Sequence, residues 1–411
     1  MQTPPQTCNL RVPSGGTPLP LYPVSESPLT SLLCHRIAAS GPISFRDFME
    51  AALYHPELGY YSGGRAAIGR SGDFFTNVSV GPLFGKLLAR QFVEIWDRMG
   101  RPAPFTIIEQ GAHRGDFAHD ALSGLQSFAP ECFATVRYVI IEPSTALRES
   151  QQARLSTFDG RVNWHAELKD LSPFEGVHFS NELVDAFPIH RVRFHDGAWV
   201  ERCVDWQDGR FIFCDAPLSI PLLRVRLDRL NGRFPEGYET EINLTALDWI
   251  EALGQKLVRG WVLLIDYGYP RGEFYRPERI GGTLSGYSKH QRVTELLSEP
   301  GAVDLTAHVD FTSLAEAAES GGLRARGFAD QHHFMVGLSR LHFSDSETLT
   351  PAMERELRAF KTLMHPNMMG ASFKVLGLEK TKSGDENSEP LAGFAFGGDA
   401  RSALELSSSL P

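Results

Sequence analysis

Apolar residues recur along this chain with two periods, and the alternation of the two lays out its elements. Residues 104–110, 136–142, 174–180 and 260–266 are short, nearly unbroken apolar runs, and a weaker run covers 162–164. Elsewhere apolar positions return every three or four residues, over 29–39, 45–53, 84–99, 117–122, 244–257, 311–319, 333–342 and 351–363, and a further helix over about 144–155 is expected from its cap. The first pattern predicts strands buried on both faces, and the second predicts amphipathic helices. Ser44 and Ser144 stand where an N-cap belongs, and Asp47 falls in a first turn. Two further strands are predicted at 323–328 and 373–378. Strands alternating with helices imply an α/β fold with a parallel sheet and right-handed crossovers.

The rhythm breaks in three places. Segments 198–206 and 210–214 flank Gln207-Asp208-Gly209, which predicts a hairpin inside an antiparallel insertion over about 191–235. Residues 269–305, with Gly281-Gly282-Thr283 and Pro300-Gly301, read as loop. Residues 54–76 are dense in Gly and aromatic side chains without periodicity, either a functional loop or a surface loop pinned by buried rings.

Chemistry gathers where the strands end. In an open α/β sheet the ligand crevice lies at the carboxyl ends of the strands. Glu109, Gly111, Gly115, Asp116, Glu142, Asn181, Glu182 and Asp266 all fall at such ends and are expected to face one cleft. Gly111-Ala112-His113-Arg114-Gly115 makes a tight turn between strand and helix, where the helix N-terminus offers N–H groups to a negative ligand group. Glu142 is placed to accept both hydroxyls of a ribose; the alternative is a solvated strand-end acid. The turn is not the G-x-G-x-x-G dinucleotide fingerprint, and the chain has no P-loop. Glu109 before the glycines suits a ligand with a positive amino group, such as S-adenosylmethionine. His308 and Asp310 would point the same way from an extended segment, as a hydrogen-bonded structural pair or as a base or metal ligand.

Composition narrows the partners. A formal charge of −10 leaves no basic footprint for nucleic acid. No apolar run approaches the ~20 residues of a membrane helix, and no basic segment leads into an apolar core near residue 1. The five cysteines are scattered without a CxxC, which suggests a reducing compartment and no zinc site. A cytoplasmic, bacterial protein is the expectation. The expected organisation is an irregular arm over 1–28, a helical and Gly/aromatic region over 29–100, and a core over 101–380. The core would carry an insertion at about 191–259 and a loop at 269–305, and a mobile tail would follow over 381–411.

Seven segments carry a resemblance that spans about residues 35–380. They are Phe-Met-Glu-Ala-Ala-Leu-Tyr-His-Pro-Glu-Leu-Gly-Tyr-Tyr (48–61), Gly-Asp-Phe-Phe-Thr (72–76), Phe-Gly-Lys-Leu-Leu-Ala (84–89), Ile-Glu-Pro-Ser (141–144), Ser-Asn-Glu-Leu-Val-Asp-Ala-Phe-Pro (180–188), Ile-Asp-Tyr-Gly (265–268) and Asp-Leu-Thr-Ala-His-Val-Asp-Phe (304–311). Together they resemble the MidA family of class I SAM-dependent methyltransferases. That family includes a mitochondrial complex I assembly factor that methylates a protein arginine. The resemblance implies a Rossmann-like seven-stranded sheet with an N-terminal helical region and insertions, S-adenosyl-L-methionine as cofactor, and 323–328 and 373–378 as an antiparallel pair. It implies that Gly72, Asp73 and Thr76 close over the cofactor beside Glu109, Gly111, Gly115, Asp116, Glu142 and Asn181. It places Asn181, Glu182 and Asp185 near the transferred methyl, with an arginine nitrogen of a protein partner, a respiratory complex subunit, as acceptor. The alternative for those two acids is that they cap a following helix or pair with Arg191 or Arg193.

Two departures from the family pattern stand out. His113 occupies the middle glycine of the turn, and Asn77-Val78-Ser79-Val80 replaces a Ser-Pro-Glu-type run. A side chain at 113 opens a rival reading, a non-catalytic assembly protein that keeps the fold. A nicotinamide enzyme is the second rival.

Overall fold

The structure is a computed structural model that describes residues 27–62, 77–230, 232–288, 291–343, 350–365, 370–382 and 389–407. Gly72, Asp73 and Thr76, and the arm up to residue 26, lie outside the described residues. The chain divides into two compact units. One comprises residues 1–65, 188–243 and 275–307, and the other 66–187, 244–274 and 308–411.

The larger unit is built on seven strands: β1 (Phe105–Gln110), β2 (Val136–Ile141), β3 (Val162–His165), β4 (Phe174–Asn181), β5 (Leu257–Tyr269), β6 (Arg324–Asp330) and β7 (Phe373–Lys380). Their order across the sheet is β6-β7-β5-β4-β1-β2-β3. The five strands from β5 to β3 are mutually parallel. β7 runs antiparallel to both β5 and β6, as the resemblance implies. The two-residue strand Val309–Asp310 adds to the end of β5.

Among the described residues seven helices of ten or more residues accompany the sheet: α1 (Leu83–Arg98), α2 (Asp116–Phe128), α3 (Thr145–Arg154), α4 (Leu244–Lys256), α5 (Phe311–Ser320), α6 (Gln331–His342) and α7 (Pro351–Met364). Most were legible as 3.6-residue patterns, because they bury an apolar stripe, whereas α3, whose one buried residue is Gln151, was legible from its Ser144 cap. Phe84 and Phe92 of α1, Phe117 of α2 and Phe179 of β4 form the centre of the core, with Phe117 and Phe179 stacked at 4.2 Å. Full burial of such a ring stabilises by roughly 2–3 kcal/mol, so this cluster fixes α2, and the turn before it, against the sheet.

Residues 389–407 are not the loose tail expected from composition. Leu391, Phe394 and Leu404 are buried. The Phe394 ring lies over Gly327 and Gly377, where an added Cβ would come within 2.3 and 2.5 Å of it. Glycines far away in sequence make the hollow, so local composition could not reveal the fit.

The smaller unit is antiparallel. The hairpin is present, Ala198–Gln207 against Arg210–Ala216, with Asp208 and Gly209 at positive φ in its turn. Ile43–Ser44, Ala198–Gln207, His190–His195 and Glu239–Ile242 are ordered side by side, so the sheet recruits two residues from before the core. Helices Pro28–Ser40 and Phe45–Tyr54 belong here, and Ser44 caps the second by accepting from the Asp47 N–H at 3.1 Å. Residues 269–305 are more than loop: Ser285–Ser288, Gln291–Val293 and Asp304–Thr306 pair into a small sheet. Those strands are three or four residues long, too short to show a period. Tyr61 of the Gly/aromatic segment donates to Asp304 at 2.7 Å, so two of the resembling segments hold each other.

Candidate active site

The first turn leaves β1 through Glu109 and Gln110. Gly111, His113 and Gly115 sit at φ 84°, 45° and 82°. The Gly115 N–H closes the turn on the Ala112 carbonyl at 2.7 Å. A Cβ at Gly111 would touch Leu183 at 3.5 Å, which is ordinary contact; backbone conformation, not space, calls for glycine. His113 takes the same left-handed region with a side chain, at some cost. α2 starts at once from Gly115, which brings no capping side chain. The N–H groups of its first turn therefore point out of the sheet end.

Glu142 follows β2 and is 6% exposed. Its Oε1 accepts from the Ser144 N–H at 2.9 Å, and its Oε2 accepts from Gln151 Nε2 at 3.0 Å. Burial raises its pKa, opposed by the Ser144 N–H, the Gln151 amide and the Arg148 charge. Each oxygen keeps a lone pair, which is what two adjacent hydroxyl donors require.

Glu109 lies deeper. It is 3% exposed and accepts one hydrogen bond, from Tyr138 Oη at 2.7 Å. Burial pushes its pKa up to about 8, against that hydrogen bond, and the nearby Asp116 charge adds to the rise. Asp116, the first residue of α2, is half-exposed and ion-paired to Arg154 at 2.7 Å.

The second turn leaves β4 beside the first, as the Gly111–Leu183 proximity records. No helix follows β4, so Glu182 and Asp185 have none to cap; residues 182–187 are turn. Glu182 is at φ 54°. Its Oε1 accepts from Asn181 Nδ2 at 2.9 Å, and Asn181 Oδ1 accepts from Asn77 Nδ2 at 2.9 Å. Asn77 is buried and its Oδ1 accepts from Gln331 Nε2 at 2.8 Å. A chain of carboxamides thus sets the Glu182 carboxylate. Asp185 is 6% exposed. Arg191 and Arg193, the alternative partners, pair with Glu239 and Asp215.

Asp266 does not face a cleft. It is fully buried at the end of β5, and Oδ2 accepts the N–H groups of Leu183, Val184 and Asp185 at 3.2, 2.9 and 3.3 Å. Oδ1 accepts the Tyr267 N–H at 2.8 Å. Burial raises its pKa, and the four N–H groups work against the rise. Asp310 caps α5 by accepting from Ser313, and His308 stacks near Tyr267 and Tyr269 at 6.1 and 5.3 Å.

Sequence reading missed Tyr138, Gln151, Trp164, Asn77 and Gln331. One signal was available for Gln151: it falls between Leu147 and Leu155 on the inner stripe of α3, whereas Gln152 falls outside it. Asn77 was marked only as part of the run that departs from the family pattern, and nothing local marked Tyr138, Trp164 or Gln331.

Comparison with known proteins agrees with this geometry. Residues 87–329 match the family described as "Putative S-adenosyl-L-methionine-dependent methyltransferase". A solved structure from Burkholderia thailandensis bound to S-adenosyl-homocysteine is 31% identical, covers 90% of this chain and 95% of its own, and superposes with a TM-score of 0.79. The chain is 29% identical to the Drosophila melanogaster protein arginine methyltransferase NDUFAF7 homolog, mitochondrial, over 85% of this chain and 84% of that protein. Against the human protein arginine methyltransferase NDUFAF7, mitochondrial, the figures are 28%, 86% and 84%. These curated relatives are mitochondrial, which overturns the cytoplasmic, bacterial placement expected from the sequence. Among the described residues no helix is long and apolar enough to cross a membrane.

Proposed function

The chain belongs to this family of S-adenosyl-L-methionine-dependent methyltransferases, and we propose that it methylates an arginine nitrogen of a protein partner. The bound cofactor supplies a methyl group on a sulfonium centre. The residues present fit it. Glu142 has one lone pair left on each oxygen for the ribose hydroxyls, and the positive-φ turn keeps Cβ atoms away at Gly111 and Gly115. Glu109, beneath that turn, is proposed to meet the amino group of the methionine moiety. Gly72, Asp73, Thr76 and Asn181 complete the proposed set. Asp116 enters it less directly, since Arg154 already pairs with it.

The observation that carries the acceptor assignment is the second turn. Two carboxylates, Glu182 and Asp185, stand on one short segment pinned by Asp266, and Asn181 orients Glu182. A guanidinium stays protonated in water, with a pKa above about 12. It must be held by carboxylates and must give up a proton around transfer, and positioning dominates the rate of such a displacement. Glu182 and Asp185 are proposed to hold the guanidinium, with Glu182 taking the proton. Two relatives named as arginine methyltransferases support the reading, and the family resemblance points to a respiratory complex subunit as partner.

Neither rival has an observation in its favour. His113 leaves the turn formed rather than collapsed, and a nicotinamide site has no fingerprint in the chain. The test is the chemical identity of the product. The protein is incubated with methyl-labelled cofactor and mitochondrial inner-membrane proteins, and the labelled protein is hydrolysed to amino acids. Label in ω-N-methylarginine is expected. Label in methyl-lysine or in base-labile esters would overturn the acceptor assignment.

A further inference from the structure

Gln151 is fully buried, yet its amide has a partner for every role. Nε2 donates to the His113 carbonyl at 2.7 Å and to Glu142 Oε2 at 3.0 Å. Oε1 accepts from Trp164 Nε1 at 2.9 Å. An amide turned the other way would set an oxygen against two oxygens and an amine against the indole N–H, so the indole fixes which end faces the site. One side chain therefore joins the two halves of the cofactor grip. It holds the carbonyl of the one non-glycine residue in the turn that sits at positive φ, and it holds the carboxylate proposed to take the ribose.

We propose that Gln151 is a positioning residue: it holds the turn in its left-handed form despite the side chain at position 113, and it directs the remaining lone pairs of Glu142 toward the ribose, with Trp164 fixing its amide. The inference rests on the cofactor reading of Glu142 given above. Two consequences separate it from a merely structural role. Glycine at 113 needs no help to reach positive φ, so Gln151 matters less in that background. Loss of Gln151 also blunts discrimination between ribose and deoxyribose, because the carboxylate is no longer aimed.

The test is calorimetric binding of S-adenosyl-homocysteine and its 2′-deoxyribose analogue to the full chain. Gln151→Leu should raise the Kd for S-adenosyl-homocysteine about tenfold and bring the ratio of the two Kd values toward one. In the His113→Gly background the same change should cost only about threefold. Trp164→Phe, which keeps a ring, should weaken binding about threefold with the same fall in ratio. Gln151→Leu with wild-type affinity, or with equal losses in both backgrounds and an unchanged ratio, overturns the proposal. Should that variant not fold, Trp164→Phe decides, and wild-type Kd and ratio there overturn it. Glu142→Ala is the control. Full affinity in that variant removes the ribose assignment itself, whereas lost affinity there with none lost at Gln151 removes only this inference.

Discussion

Glu109 and Asp266 are two buried acids at the carboxyl ends of strands in one sheet, and they differ in what surrounds them. Four backbone N–H groups point at Asp266. One phenol hydroxyl points at Glu109. A carboxylate has about four acceptor sites, so among the described residues Asp266 is used up and most of Glu109 is left unused. Burial lifts the pKa of both, but only at Asp266 does a full set of donors oppose it. The same contrast separates the turns above them. Both turns hold a non-glycine residue at positive φ, His113 and Glu182. Among the side chains that reach these turns, the first meets the neutral Gln151 amide, and the second meets a carboxylate that gathers three consecutive N–H groups. An acid at a strand end can thus be an anchor or a reserve, and donor count tells which.

The largest expected effect tests the reserve. The folded-state pKa of Glu109 lies near 8, above its ordinary 4.5. The folded protein keeps a proton that the unfolded chain has already released, so wild-type stability falls as pH rises from about 4.5 to about 8. The slope reaches up to about 1.4 kcal/mol per pH unit. Glu109→Gln should remove the share of that slope due to Glu109, leaving the share due to Asp266, whose pKa burial raises to about 7, and urea midpoints at several pH values within this window read the difference directly. Equal slopes in the two proteins would show that Glu109 holds no extra proton in the fold.

Next comes the turn that Asp266 anchors. Glu182→Gln should lower kcat about a hundredfold, about 2.7 kcal/mol of barrier, with the affinity for S-adenosyl-homocysteine unchanged. Wild-type turnover in this variant would move the acceptor-holding role away from Glu182. Asp266→Asn should cost about 2 kcal/mol of stability, because an amide N–H then faces a backbone N–H or N–H groups lose their acceptor. Its turnover should fall further than its cofactor affinity, since the anchored segment carries Glu182 and Asp185. A variant as stable as wild type would put Asp266 with Glu109. The smallest effect belongs to the first turn. His113→Gly should stabilise by about 1 kcal/mol in chemical denaturation, because glycine reaches φ 45° without strain. A destabilised variant would mean that the imidazole itself supports the turn.

Much of this was legible beforehand, for identifiable reasons. β1, β2, β4 and β5 are buried on both faces, so their apolar runs are unbroken and their ends visible. Gly111 and Gly115 marked the first turn because few other residues tolerate its backbone. Ser44 and Ser144 were readable as caps because a cap acts within three residues. What escaped acts over long separations. The link from Asn77 to Gln331 spans 254 positions, and the one from Gly393 to Gln91 spans 302. Residues 389–407 looked loose for the same reason: their hollow is formed by Gly327 and Gly377.

A family resemblance implied the antiparallel edge pair, and the amino-acid sequence alone determined the alternation of strands and helices, its parallel sheet and the set of strand-end residues from which a site could be drawn. These follow from periodicity, turn chemistry and residue type, which are local. Only the tertiary structure decided which of those residues have their acceptors consumed by the fold. It turned Asp266 inward, paired Asp116 with Arg154, and brought Gln151 between His113 and Glu142. The physical reason is that a polar side chain's role is set by the donors and acceptors around it, and packing brings those from strands and helices far apart in the chain.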